Sequence, residues 1–503
     1  MKQKFISAVL LVFCLCSTSF VAWGAKGGIP GKPDKPEEPE DPPPTPIDGY
    51  YFWRLGHMDG PHTSSMALGI SRDGKTAVGT TQVVDFYRAW RLDIDWAIAT
   101  DDGVPPLYNE LQVQEDIGLV QPSQPSAAMA ASDMTYVPVY DKVNLVLDWG
   151  GSLPVGTYSV GQVSYAIQWL LPVLDRVGEE FVAGTDFLAV PDYGGGISEM
   201  VATDVSIDGQ VIVGTGNTMT GPVAFRADTT VVDEELVPIP VQLTIQEIID
   251  GVEGQTLQSS SAEAVSADGT VIAGYGATKT GNKAFVSFFL GTEVIEDQTE
   301  AILESYLLPA LDGGRWCEAY ALTETGDAYG IVIAGRSDSP KGPQACIWFQ
   351  GDDPETAELE TWVVRGIGGL SKKKYDSVAT SIAYRPGSTA GDLIVVGGSQ
   401  TIRYPMEAFV WTGNPVLEPD GPYTLPDGGE NEYIGYMYDL EKILIKTGAG
   451  EASLLGSSWI LTEATGISAA GDRIVGYGIN PERGEEAWLV TNYPYDDLEF
   501  THD

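Results

Sequence analysis

The residues able to do chemistry are few, and their spacing limits what they can do. The only histidines are His57, His62 and His502. His57 and His62 flank Met58-Asp59-Gly60-Pro61, and His502 stands beside the C-terminus. A zinc pair from His57 and His62 is one reading; a solvent-exposed turn is the stronger one. No HExxH, GxSxG, Walker loop or CxxC occurs, so zinc peptidase, esterase and nucleotide-binding classes lack support. Four serines, Ser71, Ser206, Ser266 and Ser468, recur at equivalent places in a repeated segment. A nucleophile needs a base and an orienting group, and no histidine recurs with them. Each hydroxyl is therefore expected to bond backbone at its turn.

Asp73, Asp208 and Asp268 follow three of these serines and offer carboxylates for calcium. A calcium loop needs several oxygens at alternating positions, and the acidic run Asp93 to Gly103 has no such spacing. Ca2+ is the one cofactor left open, with no residue assigned to it. Paired carboxylates could also run a glycosidase, but among 71 acidic residues the sequence selects no pair.

The chain of 503 residues begins MKQKFISAVLLVFCLCSTSFVAWG. Lys2 and Lys4 precede an apolar run that ends in small residues, which reads as a signal peptide over residues 1–24. A retained membrane anchor is the alternative. Residues 25–48 are rich in proline and glutamate and read as an extended spacer. No later stretch is long and apolar enough to span a bilayer. The formal charge of -43 repels nucleic acid and anionic lipid. A secreted or cell-surface bacterial protein is expected. Beyond the leader only Cys317 and Cys346 remain. In an exported chain they suggest one disulfide, closing a loop of about 30 residues and adding roughly 2–4 kcal/mol. Two buried free thiols are the alternative.

These residues sit in a repeat. ALGISRDGKTAVG ends at Gly79, ATDVSIDGQVIVG at Gly214, AEAVSADGTVIAG at Gly274 and ATGISAAGDRIVG at Gly476. In all four the first Ala and last Gly stand twelve apart. Longer variants run from Ala319 to Gly335 and from Ala379 to Gly397, with the additions at the turn. Asp208-Gly209 and Asp268-Gly269 lie between β-branched runs and read as hairpin turns. VIVG and VIAG read as strands covered on both faces and ended by their glycines. Ten or eleven residues on, Ala89, Ala224, Ala284, Ala345, Ala408 and Ala487 each open a third strand, usually as Ala-Phe or Ala-Trp. Segments at Phe187, Tyr306 and Thr361 read as fourth strands.

Four short antiparallel strands repeating near every 60 residues predict a propeller blade. The gap from Ala89 to Ala224 is twice the others, so a degenerate unit is expected there, with Ala166 in its third strand. Met134 to Gly150 is read as replacing its hairpin. The last unit lacks a fourth strand, and Gly49 to Gly60 resembles a fourth strand with no unit before it. The fold class is thus all-β: a propeller of about seven four-stranded blades over residues 49–490, closed by the N-terminal strand. A solenoid or parallel β-helix would need no such complement, and separate sandwich domains are a third alternative. Residues 491–503 are left as a tail.

The segments ending at Gly214, Gly274 and Gly476, with their Ala-Phe and Ala-Trp pairs, resemble the bacterial "probable extracellular repeat" HAF family. That resemblance covers roughly Tyr50 to Val490. It implies an exported or surface protein and transfers no catalytic residue. A non-enzymatic binding or surface-interaction module is expected, with a glycan or surface protein as partner. The alternative is a carboxylate-dependent carbohydrate-active hydrolase or lyase. Irregular inserts at residues 95–125, 228–260 and 424–457 are candidate binding loops; in the last, Leu440, Ile443 and Leu444 share one face of a short helix.

Overall fold

A computed structural model describes residues 51–491, apart from 57–61, 84–85, 95–108, 111–125, 132–134, 141–145, 152, 161–162, 170–186, 190–197, 219–220, 229–230, 233–234, 237–238, 243–256, 296–297, 327–329, 352–360, 372–374, 386–391, 415–434 and 448–458. The expected leader and spacer, and all but the first residue of the tail, lie outside the described residues, as do most of the three irregular inserts.

Seven four-stranded antiparallel sheets form the architecture. Blade one holds β2 (His62–Ile70), β3 (Thr76–Val83), β4 (Phe86–Asp93) and β5 (Asn109–Glu110). Blade two holds β6 (Ser126–Ala131), β9 (Pro154–Val160), β10 (Val163–Trp169) and β11 (Phe187–Ala189); β7 (Thr135–Tyr140) and β8 (Val146–Gly151) pair only with each other. Blade three holds β12 (Ser198–Val205), β13 (Val211–Thr218), β14 (Gly221–Asp228) and β17 (Ile239–Gln242), with a small β15–β16 ribbon (Val231–Val232, Glu235–Leu236) between the last two. Blade four holds β18 (Ser259–Val265), β19 (Val271–Thr278), β20 (Gly281–Ile295) and β21 (Gln298–Leu307). Blade five holds β22 (Cys317–Glu324), β23 (Ile331–Ser337), β24 (Gln344–Gly351) and β25 (Thr361–Gly368). Blade six holds β26 (Ser377–Tyr384), β27 (Leu393–Ser399), β28 (Glu407–Gly413) and β29 (Gly435–Asp439). Blade seven holds β30 (Ile460–Ile467), β31 (Arg473–Asn480), β32 (Gly484–Thr491) and, on its outer edge, β1 (Tyr51–Gly56).

The first strands touch in succession, from β2 through β6, β12, β18, β22 and β26 to β30, and β30 returns to β2. Seven inner strands thus encircle an axis, and the structure is a closed seven-bladed propeller. Tyr51 pairs with Thr491, Phe52 with Val490 and Trp53 with Leu489, so the N-terminal strand supplies the fourth strand the last repeat lacks. The Trp53 indole N–H donates to the Thr491 hydroxyl at 3.0 Å, and the Phe52 ring meets Trp459 edge-on at 5.6 Å.

The repeat now has a physical meaning. In every blade the repeated alanine pairs with the repeated glycine: Ala67 with Gly79, Ala202 with Gly214, Ala262 with Gly274, Ala319 with Gly335, Ala379 with Gly397, Ala464 with Gly476. One residue past the alanine the register slips, leaving a one-residue bulge. The bulge brings backbone against the glycine. A Cβ on Gly214 would overlap the Val201 carbonyl oxygen, and one on Gly476 the Glu463 carbonyl oxygen. The third-strand aromatic lies over the same glycine, Phe225 on Gly214 and Trp488 on Gly476. The glycines therefore do not end strands, as their placement suggested; β13 and β19 run on to Thr218 and Thr278. The VIVG and VIAG stretches are buried as expected.

Blade two is the degenerate unit, and Ala166 does open into its third strand. Its hairpin is not replaced by Met134 to Gly150. Ala128 on β6 pairs with Gly156 on β9, with the same bulge following, and the β7–β8 ribbon is inserted between them. The alanine and glycine stand 28 apart instead of twelve, which hid them.

The short helix is α1 (Leu440–Thr447), with Leu440, Ile443 and Leu444 buried on blades six and seven. One expectation fails. Cys317 and Cys346 are both buried free thiols, with no disulfide between them. They sit on β22 and β24 with β23 between, Cys317 opposite Ser337 and Cys346 opposite Gly335. Two strand spacings of roughly 4.8 Å each already exceed the reach of a disulfide.

Candidate functional site

The serine turns are structural. The Ser71, Ser206 and Ser266 hydroxyls donate to Asp73, Asp208 and Asp268 at 2.6, 2.7 and 2.6 Å. Each hydroxyl also accepts the backbone N–H five residues on, at 2.8 to 3.0 Å. Ser468 repeats the arrangement with Asp472 in the aspartate's role. Only the turn glycine takes positive φ, 74° at Gly209 and 75° at Gly269. The turn is therefore of type I with a left-handed glycine, not the two-residue form in which Asp also turns left-handed. For Asp268, burial opposes the charge, yet the hydrogen bonds from Ser266 and Thr270 hold its carboxyl below the usual range. These aspartates are committed to their own turns. Among the described residues no group of three or more His, Cys, Asp or Glu is arranged to hold a metal ion. His57 and His502 lie outside the described residues, and nothing is described of the His62 side chain.

The sequence missed the chemistry at the axis. Each inner strand buries its repeated alanine, while the bulged residue after it is half-buried: Leu68, Met129, Thr203, Glu263, Tyr320, Thr380 and Thr465. Neighbouring strands cover an inner strand on its other sides, so that exposure faces the axis. Three of these residues tie blades together. Thr203 donates to the Ala262 carbonyl at 2.7 Å, Thr380 to Ala464 at 2.5 Å and Thr465 to Ala67 at 2.8 Å.

Three positions repeat around the ring: the residue before the alanine, the bulge, and the residue after the glycine. Blades one and two carry Met66, Leu68 and Thr80, then Ala127, Met129 and Thr157. Blade six carries Val378, Thr380 and Gly398. The same positions hold Ser261, Glu263 and Tyr275 in blade four, Glu318, Tyr320 and Arg336 in blade five, and Glu463, Thr465 and Tyr477 in blade seven. A framework repeated seven times thus concentrates carboxylates, phenols and a guanidinium on three blades.

Glu318 is locked. One carboxylate oxygen accepts from the Asn282 amide at 2.5 Å; the other accepts from Tyr320 at 2.5 Å and from Arg336 Nε at 2.8 Å. Burial works against its charge, but Arg336 and these donors hold its carboxyl below the ordinary value. Arg336 lies over Trp316, 5.3 Å from the ring centre, and a third of its side chain is exposed (36%). Glu263 accepts from Ser261 at 2.5 Å, and Ser261 meets Thr215 of blade three. Burial, reinforced by the charge of Glu318, pushes Glu263 up to about 7. Glu463 accepts from Tyr477 at 2.6 Å; burial raises it despite that bond and the Arg336 charge. Tyr275 and Tyr320 meet edge-on at 5.9 Å, and burial raises both phenols, which stay neutral.

On the serine-turn side, Arg72 of blade one spans the ring and donates to the Val265 carbonyl of blade four at 2.8 Å. Asp204 of blade three accepts from Val265 N and Val205 N, both at 2.8 Å. Burial raises Asp204 to about 6, against those bonds and the Arg72 charge.

The repeat held a usable signal: alanine is constant, while its neighbours change from Met-Ala-Leu to Ser-Ala-Glu, Glu-Ala-Tyr and Glu-Ala-Thr. No protein-family model matches the chain, and no curated protein matches it. The described residues contain no helix long and apolar enough to cross a membrane.

Proposed function

We propose that the chain is an exported surface-interaction protein that binds a glycan at the axis of its propeller. The resemblance of its repeat to the HAF family and its signal-like leader support export. At the three repeated positions beside the alanine and the glycine, ionisable and aromatic side chains occur on blades four, five and seven, and this carries the binding reading, because structural need alone would repeat them in every blade. Sugar hydroxyls match a site of Ser, Thr, Asn and Tyr hydrogen-bonding groups, and tyrosine and tryptophan rings suit pyranose faces.

Hydrolysis by a carboxylate pair is the second reading, favoured by the separation of Glu263, near 7, from the depressed Glu318. Binding is preferred because both oxygens of Glu318 are already engaged by Asn282, Tyr320 and Arg336. A nucleophile or base needs a free lone pair aimed at its target. A glycan array with the mature protein, with and without calcium, tests the reading. Saturable binding with intact glycans supports it; released saccharide products overturn it in favour of hydrolysis.

A further inference from the structure

The face opposite the serine turns carries a basic rim. There the β19–β20 hairpin, the β21–β22 connection, the β23–β24 hairpin, the β25–β26 connection and the β27–β28 hairpin touch in turn across blades four to six. A Cβ on Gly281 would stand 3.2 Å from the Trp316 Cβ, and one on Gly313 3.3 Å from Pro340. Asp338 N–H donates to the Trp316 carbonyl at 3.0 Å, Tyr375 N–H to the Lys341 carbonyl at 3.0 Å and Gln400 N–H to the Asp376 carbonyl at 2.7 Å. Lys279, Arg315, Lys341 and Arg403 are exposed along this rim, and Lys283 is half-buried. Among the described residues there, only Asp312, Asp338 and Asp376 oppose them, in a chain whose acidic residues outnumber its basic ones 71 to 28. Lys372, Lys373 and Lys374, between Ser371 and Tyr375 in the sequence, add to the local charge. The β27–β28 tip adds apolar surface: Ile402 is 95% exposed and Tyr404 37%.

The serine-turn face carries its complement. β20 is 15 residues long, where the third strands of the other blades have 7 or 8. Its pairing with β19 ends at Phe288. Past the blade-four serine turn, β20 continues to Ile295, paired with β21 alone among the described strands. The Arg226 guanidinium lies 3.9 Å from the Phe289 ring centre and ties the base of this arm to blade three. From Phe289 to Glu304 the sequence has five acidic residues and no basic one. Glu293 pairs directly with Glu300 across the arm. Like charges directly opposite one another destabilise a two-stranded ribbon, and a basic partner relieves that repulsion. Leu290, at the bulge of the arm, is 62% exposed.

We propose that the chain associates head-to-tail, the β20–β21 arm of one copy docking on the basic rim of the next. Arm and rim lie on opposite faces, so one copy cannot satisfy both by itself. Their charges are of opposite sign, which gives such a contact its register and excludes arm-to-arm or rim-to-rim pairing. Leu290 on the arm and Ile402 and Tyr404 on the rim supply the apolar contact that a protein interface uses and an anionic polysaccharide does not. The two copies contribute different surfaces, so each contact leaves an arm and a rim free at the ends of the stack, and the contact can repeat. This association is independent of the glycan reading above.

Sedimentation equilibrium of the mature chain over a range of concentrations tests the proposal. Association is expected, and raising NaCl from about 50 mM to about 500 mM should weaken it about tenfold. Lys341→Glu with Arg403→Glu, and separately Glu293→Lys with Glu300→Lys, should each weaken it about tenfold. Mixing the two charge-reversed chains should restore it. The acidic arm of the first then meets the basic rim of the second, and the basic arm of the second meets the acidic rim of the first. Melting curves verify that each variant is folded. A chain that stays monomeric at every concentration, or variants that associate as the parent does, overturn the proposal. A mixture of folded variants that stays monomeric does the same. Association lost when Glu37→Gln, Glu38→Gln, Glu40→Gln and Asp41→Asn are combined, and untouched by the arm reversal, gives the rim to the acidic spacer and overturns the arm. Polygalacturonate binding that needs Lys341 and Arg403, without self-association, gives the rim to an anionic polysaccharide and overturns the arm likewise.

Discussion

The Arg72 guanidinium of blade one reaches the Val265 carbonyl of blade four at 2.8 Å, joining two blades as far apart as a seven-membered ring allows. Its own carbonyl accepts Ala469 N–H of blade seven at 2.7 Å. One residue thus links three blades at the serine-turn side. Arg72→Ala is expected to lower stability by about 1–3 kcal/mol, the range for a hydrogen bond to a charged group. Amide hydrogen exchange should accelerate at Val265 and at the turn around Ser206. Unchanged exchange there would show that the bridge carries no mechanical role.

Acid should strengthen the ring before it weakens it. Asp204 and Glu263 have folded values of about 6 and about 7, above their ordinary 3.8 and 4.5. The folded state therefore holds those protons more tightly than the unfolded chain. Their contribution is complete below the unfolded values and is lost as pH rises through the folded ones. Urea midpoints should fall between pH 4 and pH 7, and Glu263→Gln should flatten the upper part of that fall. A midpoint that rises across this window would contradict the assignment.

Gly214→Ala tests the meaning of the repeat. The added methyl would overlap the Val201 carbonyl oxygen and approach the Phe225 ring. Overpacking at a backbone contact is expected to cost about 2 kcal/mol or more. The same change at Gly291, which has open space around it, should act only through its φ of 130°. Melting temperatures of the two variants give the comparison.

Closure predicts the effect of losing β1. Phe52 is 3% exposed and packs on Trp459. Phe52→Ala is expected to cost roughly 3–5 kcal/mol. Deleting residues 51–56 should leave β32 with a free edge and drive aggregation, read by size-exclusion chromatography. A monomeric, fully stable deletion would remove closure from the account.

Both thiols should remain reduced. Titration with a thiol reagent under denaturing, non-reducing conditions is expected to count Cys317 and Cys346 as free. Adding a reductant should leave the melting temperature unchanged. A mixed population of oxidised chains would restore the disulfide.

The architecture was legible because it is written many times over. Alanine-to-glycine spacing survives wherever the bulge crowds backbone against a Cβ-less residue, so Ala202 and Gly214 could be recognised beside Ala262 and Gly274. The bulge itself was not legible, since it leaves no residue type of its own; Thr203, Glu263 and Tyr320 occupy one position and share no chemistry. The site was hidden for the same reason. Glu263 and Glu463 are two among many acidic residues, and only the register of β18 and β30 brings them to a common axis. The cysteines misled because sequence separation says nothing of the strand between them.

The pairing of Tyr51 with Thr491 also fixes when the molecule can be finished. The segment synthesised early must wait, unpaired, until the last blade has been made. A chain lacking β32 cannot complete the circle, so closure follows synthesis of the last blade, and any factor that shields a lone β-segment during that interval would raise the yield of sealed rings.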